Sequence, residues 1–299
     1  MSNRSLDWSQ VDVFAEAPFQ GNQLAVFHDA SDLSTEQMQT LARETNLSET
    51  TFILPRDPRE EAEQGIDVRI FTVQEELPFA GHPTLGTASW LYWNHPILKG
   101  ASEIKLRVKA GTIPVRFSPD NNPGIYGEMT QRNPEFLKSL DGAACAEALS
   151  LPSDHLHPTL APQIVSTGMP IAIVPLRSVD ALKRLSITPA KAMSYLRAQG
   201  ANFAYCIAPT DDPTRWRARL QFYNGEDAAT GSACGCTIAY LVRNHAVPGA
   251  TAITVEQGIE INRPSRLTAQ ATLAVEENVV DVRVGGRTIL AASGRFFLS

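Results

Sequence analysis

Apolar residues along this chain fall in short runs between glycine- and proline-containing turns, and the runs occur in the same order twice. Residues 18–27 (Pro-Phe-Gln-Gly-Asn-Gln-Leu-Ala-Val-Phe) carry a turn into an apolar strand, and residues 165–174 (Val-Ser-Thr-Gly-Met-Pro-Ile-Ala-Ile-Val) do the same. A helix opened by Ser or Thr follows in each half. Ser34 with Gln37 three residues on is a capping box, and Thr188 followed by Pro189 is an N-cap with proline at the first helical position. A short strand comes next, residues 51–55 in one half and 205–209 in the other, then a second strand at 68–71 and 218–222. Each half then reaches a helix led by glycine, from Gly81 and from Gly231. Arg69 and Arg219, Gly81 and Gly231, Leu91 and Leu241, and Asn94 and Asn244 all stand about 150 residues apart, which is the signature of a long-period internal repeat.

The two glycine-led helices predict the architecture. Residues 83–93 and 231–242 carry no charge on any face, so each helix must be wrapped by other structure. The Val-, Ile- and Phe-rich strands around them in sequence supply the wrapping. The expected fold is therefore α+β, with two similar domains, each a curved mixed sheet or barrel around one buried helix. The stretch from Ser118 to Gly124, rich in Pro, Gly and Asn, sets the expected break, with a first domain at 1–120 and a second at 121–285.

Buried helices still present unpaired N–H groups at their amino ends, where the dipole also favours an anion. Two such ends are predicted, at Gly81-His82-Pro83 and at Thr230-Gly231-Ser232. Small residues admit a ligand close to the backbone, and Pro83 sacrifices no hydrogen bond in the first turn. If the two ends face one another across a cleft between the halves, they hold a carboxylate or stabilise an enolate. Three ionisable groups stand close by in sequence: His82, the pair Glu226 and Asp227, and Glu49 just before the strand at 51–54. Partial burial there would raise the Glu49 pKa toward that of a general acid/base.

Composition narrows the function classes. Hydrophobic residues are 43% and charged residues 19% of 299, a globular balance. A formal charge of −6 without a basic run argues against nucleic acid or an anionic membrane as partner. Residues 77–98 lack Asp, Glu, Lys and Arg, but Pro78, His82, Pro83, Asn94 and Pro96 interrupt them, so they read as a core helix rather than a membrane span. The polar start carries no signal-peptide pattern, and four cysteines in so long a chain suggest no disulfide framework, so a reducing, cytoplasmic setting is expected. Cys234 and Cys236 would point about 200° apart on a helix and cannot share a metal. His155 and His157 beside Asp154 have ligand-like spacing, yet flanking Pro152 and Pro158 favour a solvated loop. Nucleotide, nicotinamide, zinc-hydrolase and serine-hydrolase motifs are lacking, so no cofactor and no metal are expected.

Six segments taken in order resemble the PhzF-like phenazine-biosynthesis isomerases of the diaminopimelate-epimerase-like superfamily. They are Phe19-Gln-Gly-Asn22, Asn46-Leu-Ser-Glu-Thr50, Glu76-Leu-Pro-Phe-Ala-Gly-His-Pro-Thr84, Val165-Ser-Thr-Gly168, Asp227-Ala-Ala-Thr-Gly-Ser-Ala233 and Glu256-Gln-Gly258. The resemblance runs from Val11 to the closing Val282-Arg-Val-Gly-Gly-Arg-Thr-Ile. It implies two strand barrels each around a helix, a last strand at about 286–299 returning to the first domain, and a homodimer. It also implies isomerisation of a dihydro-hydroxyanthranilate, in which Glu49 takes a proton from one ring carbon and delivers it to another. His82, Asp227 and Ser232 would support it, and Asn22, Gly81, Pro83, Gly231, Ser232 and Ala233 would bind the substrate. Gln23, Val73, Ala228 and Cys234 depart from the family's usual residues, which alters loop stiffness and pocket lining.

Each residue keeps a plainer alternative. Glu49 could be a solvated strand-start residue, His82 a helix-start histidine bonded to a carbonyl, Asp227 a helix cap and Ser232 a satisfied first-turn hydroxyl. A two-thiol racemase needs a cysteine at each helix start, and all four cysteines lie after residue 140. The leading expectation is a cofactor-independent isomerase acting on a small cyclic or unsaturated carboxylate. The alternatives are a lyase or dehydratase using the same glutamate, and a non-catalytic carboxylate-binding protein.

Overall fold

The computed structural model describes residues 4–222, 225–275 and 278–298. The chain divides into two compact units, one running to Met129 and resuming at Gly286, the other spanning Thr130–Gly285. Both units carry strands wrapped on a central helix, the α+β architecture predicted from the charge-free helices.

In the first unit the chain forms β1 (Arg4–Val13), β2 (Asn22–Phe27), α1 (Thr35–Thr45), β3 (Glu49–Leu54), α2 (Pro58–Gln64), β4 (Ile66–Phe71), β5 (Glu76–Leu77), α3 (Gly81–Asn94), β6 (Glu103–Val108), β7 (Gly111–Ser118) and β8 (Ile125–Thr130). The second contains β9 (Glu135–Ser139), α4 (Gly142–Ala148), β10 (Gln163–Ser166), β11 (Pro170–Pro175), α5 (Val179–Lys183), α6 (Pro189–Gln199), β12 (Phe203–Pro209), β13 (Arg215–Arg219), β14 (Gln221–Phe222), β15 (Gly225–Glu226), α7 (Gly231–Arg243), β16 (Ile253–Gln257) and β17 (Ser265–Leu273). The closing strand β18 (Val279–Leu298) serves both, and its later half pairs antiparallel with β1 from Thr288 to Leu298.

The first unit is a closed barrel in the order β1-β2-β3-β4-β6-β7-β8-β18, returning to β1. Closure leaves no open edge, and the interior is filled by α3, whose residues from Gly81 to Ser89 are all buried. The helix lies so close to the wall that a Cβ on Gly86 would stand 2.7 Å from Leu24 and 2.8 Å from Val13. Its polar side chains bond locally: Thr84 and Thr87 donate to the carbonyls of Ala80 and Pro83, and the Thr87 hydroxyl also lies within hydrogen-bond distance of the Thr51 hydroxyl on β3, at 2.8 Å. On the outside, α1 covers Phe27, Phe52 and Phe71, with the Phe27 and Phe52 rings stacked 4.9 Å apart. The Ser34 capping box predicted from sequence is present, with the Gln37 N–H donating to Ser34 Oγ and the Ser34 N–H donating to Gln37 Oε1.

The second unit repeats the plan in the order β18-β17-β16-β13-β12-β11-β10-β9 around α7. Every residue of α7 from Ala233 to Val242 is buried. The pairing registers match those of the first unit: Leu24 lies opposite Glu49 and Ile171 opposite Phe203 in parallel pairs, while Phe52 faces Arg69 and Cys206 faces Arg219 in antiparallel ones. The strand expected at 218–222 is divided, because Leu220 separates β13 from β14 and the chain turns there toward β15. Thr188 and Pro189 open α6 as predicted, though the Thr188 side chain makes no cap bond.

The stretch from Ser118 to Gly124 is the β7–β8 turn inside the first unit, not a break between units. Its Asp120 takes two hydrogen bonds from Arg287 of β18, at 2.5 and 3.0 Å, which holds the turn onto the first barrel.

Candidate active site

Alternation along two neighbouring strands places the first group of residues. On β3, Thr51 bonds α3 while Thr50 bonds Thr45 of α1, so residues 49, 51 and 53 share the helix-facing side. Glu49 opens that strand. On β2, Leu24 lies against Gly86 of α3, which puts Asn22 on the same interior side. Because β2 and β3 run parallel, both begin at the end of the barrel where α3 begins. Gly81, His82 and Pro83 form the first turn of α3 there, after Ala80 as N-cap.

Glu49 Oε2 stands 3.4 Å from His82 Nε2, with the side chains 17% and 7% exposed. On the other edge of the ring, His82 Nδ1 is 3.5 Å from Asn22 Nδ2, and Ser48 Oγ donates to Asn22 Oδ1 at 3.2 Å. The first unit thus brings Asn22, Glu49, Gly81, His82 and Pro83 together and adds Ser48. Burial drives the His82 pKa down to about 3, with a backbone hydrogen bond to Gln23 acting the other way. The imidazole is therefore neutral at physiological pH and sets no positive charge against the Glu49 carboxyl. A neutral imidazole beside a carboxyl can take or give a hydrogen bond as the carboxyl gains or loses a proton.

The second unit holds the remaining group at the start of α7. Thr230 is the N-cap, followed by Gly231, Ser232 and Ala233, of which Ser232 is half-buried and its neighbours buried. Thr230 Oγ1 donates to Asp227 Oδ2 at 2.6 Å, so the carboxylate of Asp227 is tied to the cap rather than being the cap itself. Sequence reasoning missed Gln257 and Tyr205. Gln257, at the end of β16, is fully buried and touches Asp227, Thr230 and Tyr205. Gln257 lies within one of the motifs quoted above, but nothing in the linear sequence ties it to Asp227, thirty residues away.

Burial disfavours the thiolate at every cysteine. All four cysteines are free and buried. Burial pushes Cys145 up to about 12 and Cys236 to about 11, and raises Cys206 and Cys234 further. Among the described residues no set of three His, Cys, Asp or Glu side chains could hold a metal ion. His157 Nδ1 instead accepts the N–H of Leu160 at 3.1 Å, as a loop histidine. No helix among the described residues is long and apolar enough to cross a membrane.

A fold of this kind is shared with epimerases. A hydroxyproline epimerase from Agrobacterium vitis superposes with a TM-score of 0.64 over 99% of this chain and 93% of its own, at 13% identity. Nearer in sequence, a PhzF-family phenazine biosynthesis protein of Bacillus anthracis superposes at a TM-score of 0.87, with 25% identity over 99% of this chain and all of its own. Residues 11–294 match the family described as phenazine biosynthesis-like protein. A trans-2,3-dihydro-3-hydroxyanthranilate isomerase of Pseudomonas aeruginosa is 37% identical over 96% of this chain and 98% of its own. The chain belongs to this phenazine biosynthesis-like PhzF family and is an isomerase.

Proposed function

We propose that the protein isomerises a small cyclic, unsaturated carboxylate without a cofactor, with Glu49 as the acid/base that moves the proton. Glu49 breaks a C–H bond at one ring carbon, holds the proton on its carboxyl, and releases it to another ring carbon as the double bond shifts. The observation carrying this reading is the Glu49 carboxyl 3.4 Å from a buried, neutral His82 at the amino end of α3. His82 and Asn22 orient the carboxyl, and the backbone at Gly81 to Pro83 lies beside it. At the start of α7, Gly231, Ser232 and Ala233 are assigned to substrate binding, with the amides there suited to a carboxylate, and Asp227 is assigned to the catalytic set with Glu49 and His82.

The named activity of the Pseudomonas relatives makes trans-2,3-dihydro-3-hydroxyanthranilate the first substrate to test. Incubated with the enzyme in heavy water, it should gain deuterium at carbon and yield a product of otherwise unchanged mass. A product lighter by water or ammonia would indicate elimination instead, and bound ligand with neither exchange nor conversion to an isomer would indicate a binding protein. In Glu49→Gln, exchange should disappear while the ligand still binds. Full turnover by that variant refutes Glu49 as the base.

A further inference from the structure

Gln257 uses its whole hydrogen-bonding capacity at the start of α7. Its Oε1 accepts the Thr230 N–H at 3.0 Å and the Tyr205 hydroxyl at 2.8 Å. Its Nε2 donates to the Asp227 carbonyl at 2.9 Å and to Thr230 Oγ1 at 3.0 Å. The amide cannot be turned over, because the Thr230 N–H is a donor only and would then face an NH₂ group. Thr230 Oγ1 already receives a proton from Gln257, so its own hydroxyl proton goes to Asp227 Oδ2, 2.6 Å away. Behind them Tyr205 is fully buried, and burial raises its phenol well above 10, so it remains a donor throughout the working range. The donors and acceptors along Tyr205, Gln257, Thr230 and Asp227 are thus all aligned in one direction. A chain of this kind fixes the last group more tightly than any single bond would.

We propose that Gln257 and Thr230 are positioning residues that set the direction of the Asp227 carboxylate for the isomerisation. The proposal rests on the reading that Asp227 belongs to the substrate site. Asp227 lies on a short connection after β15, with no regular element of its own to orient it. Its carbonyl is held by Gln257, its N–H by the Leu220 carbonyl at 3.0 Å, and its carboxylate by Thr230. Backbone and side chain are therefore fixed by different partners, and the Gln257–Thr230 pair couples the two. In the first unit the position matching Gln257 is Val108, so this chain of bonds is peculiar to α7.

The test compares Thr230→Ser, which keeps a hydroxyl, with Thr230→Val, which keeps the shape and loses it. Deuterium uptake into trans-2,3-dihydro-3-hydroxyanthranilate should stay within about threefold of wild type in Thr230→Ser. In Thr230→Val kcat should fall about 10- to 100-fold, the scale of one hydrogen bond to a charged group, with KM changed less. Gln257→Glu, which sets an oxygen against Thr230 Oγ1 and frees the hydroxyl to turn away from Asp227, should resemble Thr230→Val. Wild-type kcat in Thr230→Val, or equal losses in Ser and Val, would overturn the proposal. A wild-type enzyme inert toward this compound would count against the proposed function instead. In that case carboxyl ¹³C titration of Asp227 decides: its midpoint should move upward in Thr230→Val and not in Thr230→Ser, and an unmoved midpoint in both overturns the positioning role.

Discussion

The beginnings of α3 and α7 are two versions of one local structure that have been given different chemistry. Matching registers pair Leu24 with Ile171, Glu49 with Phe203, Thr51 with Tyr205 and Arg69 with Arg219. Carried along the strands and the repeat of 150, Asn22 corresponds to Met169, His82 to Ser232 and Val108 to Gln257. The first end thus has a carboxyl where the second has a phenyl ring, and a histidine where the second has a hydroxyl. The second end has a buried amide network where the first has an apolar valine. What has been kept is the bidentate arginine–glutamate clasp seven residues long: Arg69 to Glu76 at 2.8 and 2.8 Å, and Arg219 to Glu226 at 2.9 and 2.6 Å. Each clasp ties a wall strand to the loop that leads into the central helix. The two units share what delivers the helix start and differ in what stands around it.

The strongest way to break this comparison is to exchange its chemistry. Glu49→Gln should lower kcat for proton exchange by about 10²- to 10⁴-fold, the usual contribution of a positioned acid/base. Phe203→Leu, at the matching position, should lower it by less than about tenfold, since no proton passes there. Equal losses at both positions would mean that the two ends share the chemistry.

The clasps offer a test of stability rather than rate. Arg219 and Glu226 side chains are 7% and 6% exposed, and Arg219 also donates to the carbonyls of Leu182, Lys183 and Leu185. Glu226→Ala leaves the buried guanidinium with only the more distant Glu260 carboxylate, 4.0 Å away, and should cost about 3 kcal/mol. Arg69 and Glu76 are 25% and 22% exposed, so Glu76→Ala should cost about 1 kcal/mol, water replacing part of the lost interaction. Denaturant unfolding of both variants measures the difference, and a larger loss at Glu76 would reverse the ranking.

Those differences in burial also mark what could be read from the residues alone. The repeat was legible because it rests on local signals: capped helix starts, glycine turns, and two helices without charge. Arg69 and Arg219 could be matched by their spacing, but not their glutamates' roles, which depend on the β4–β5 and β14–β15 turns. The meeting of Asn22, Glu49 and His82 arises from the parallel pairing of β2 with β3 across α1, and no local rule sets that register. Family resemblance named those residues; periodicity did not. The stretch from Ser118 to Gly124 has the composition of a linker, yet Arg287, far along the chain, holds it to the first barrel. Gln257 was hidden for the same reason, since its partners come from β12 and the α7 entry.

Close packing at the helices should separate the units more modestly. Ala at position 86 would press its methyl on Leu24 and Val13, both on the wall of a closed barrel, and should cost about 2 kcal/mol. At Gly235 of α7 an added Cβ would meet the side-chain amide of Gln131, which donates to the Gly231 carbonyl and accepts from Thr167. That side chain can swing aside, so Gly235→Ala should lose less in stability, about 1 kcal/mol, by breaking those two bonds. Thermal unfolding of the two variants would show the order, and a smaller loss at Gly86 would argue that the first barrel yields more readily than its closure implies.

The smallest effect concerns pH and again sets His82 against Ser232. The folded pKa of His82 is about 3, against 6.5 for the unconstrained side chain. Between those values the unfolded chain takes up a proton that the folded protein refuses, so acid favours unfolding. The contribution of His82 to stability is complete above pH 6.5 and declines as pH falls toward 3, by about 1.4 kcal/mol for each unit within that window. Replacing His82 by the residue that the repeat places there, in His82→Ser, removes the titrating group without adding another. Urea unfolding at pH 6.5 and 5.5 should then show the wild type losing about 1 kcal/mol more than the variant over that single unit. His28 and His157, also depressed by burial, are present in both proteins and cancel in the difference. Parallel pH dependence in wild type and variant would mean that His82 is charged in the folded protein, and it would then stand as a cation against Glu49 instead of a neutral partner.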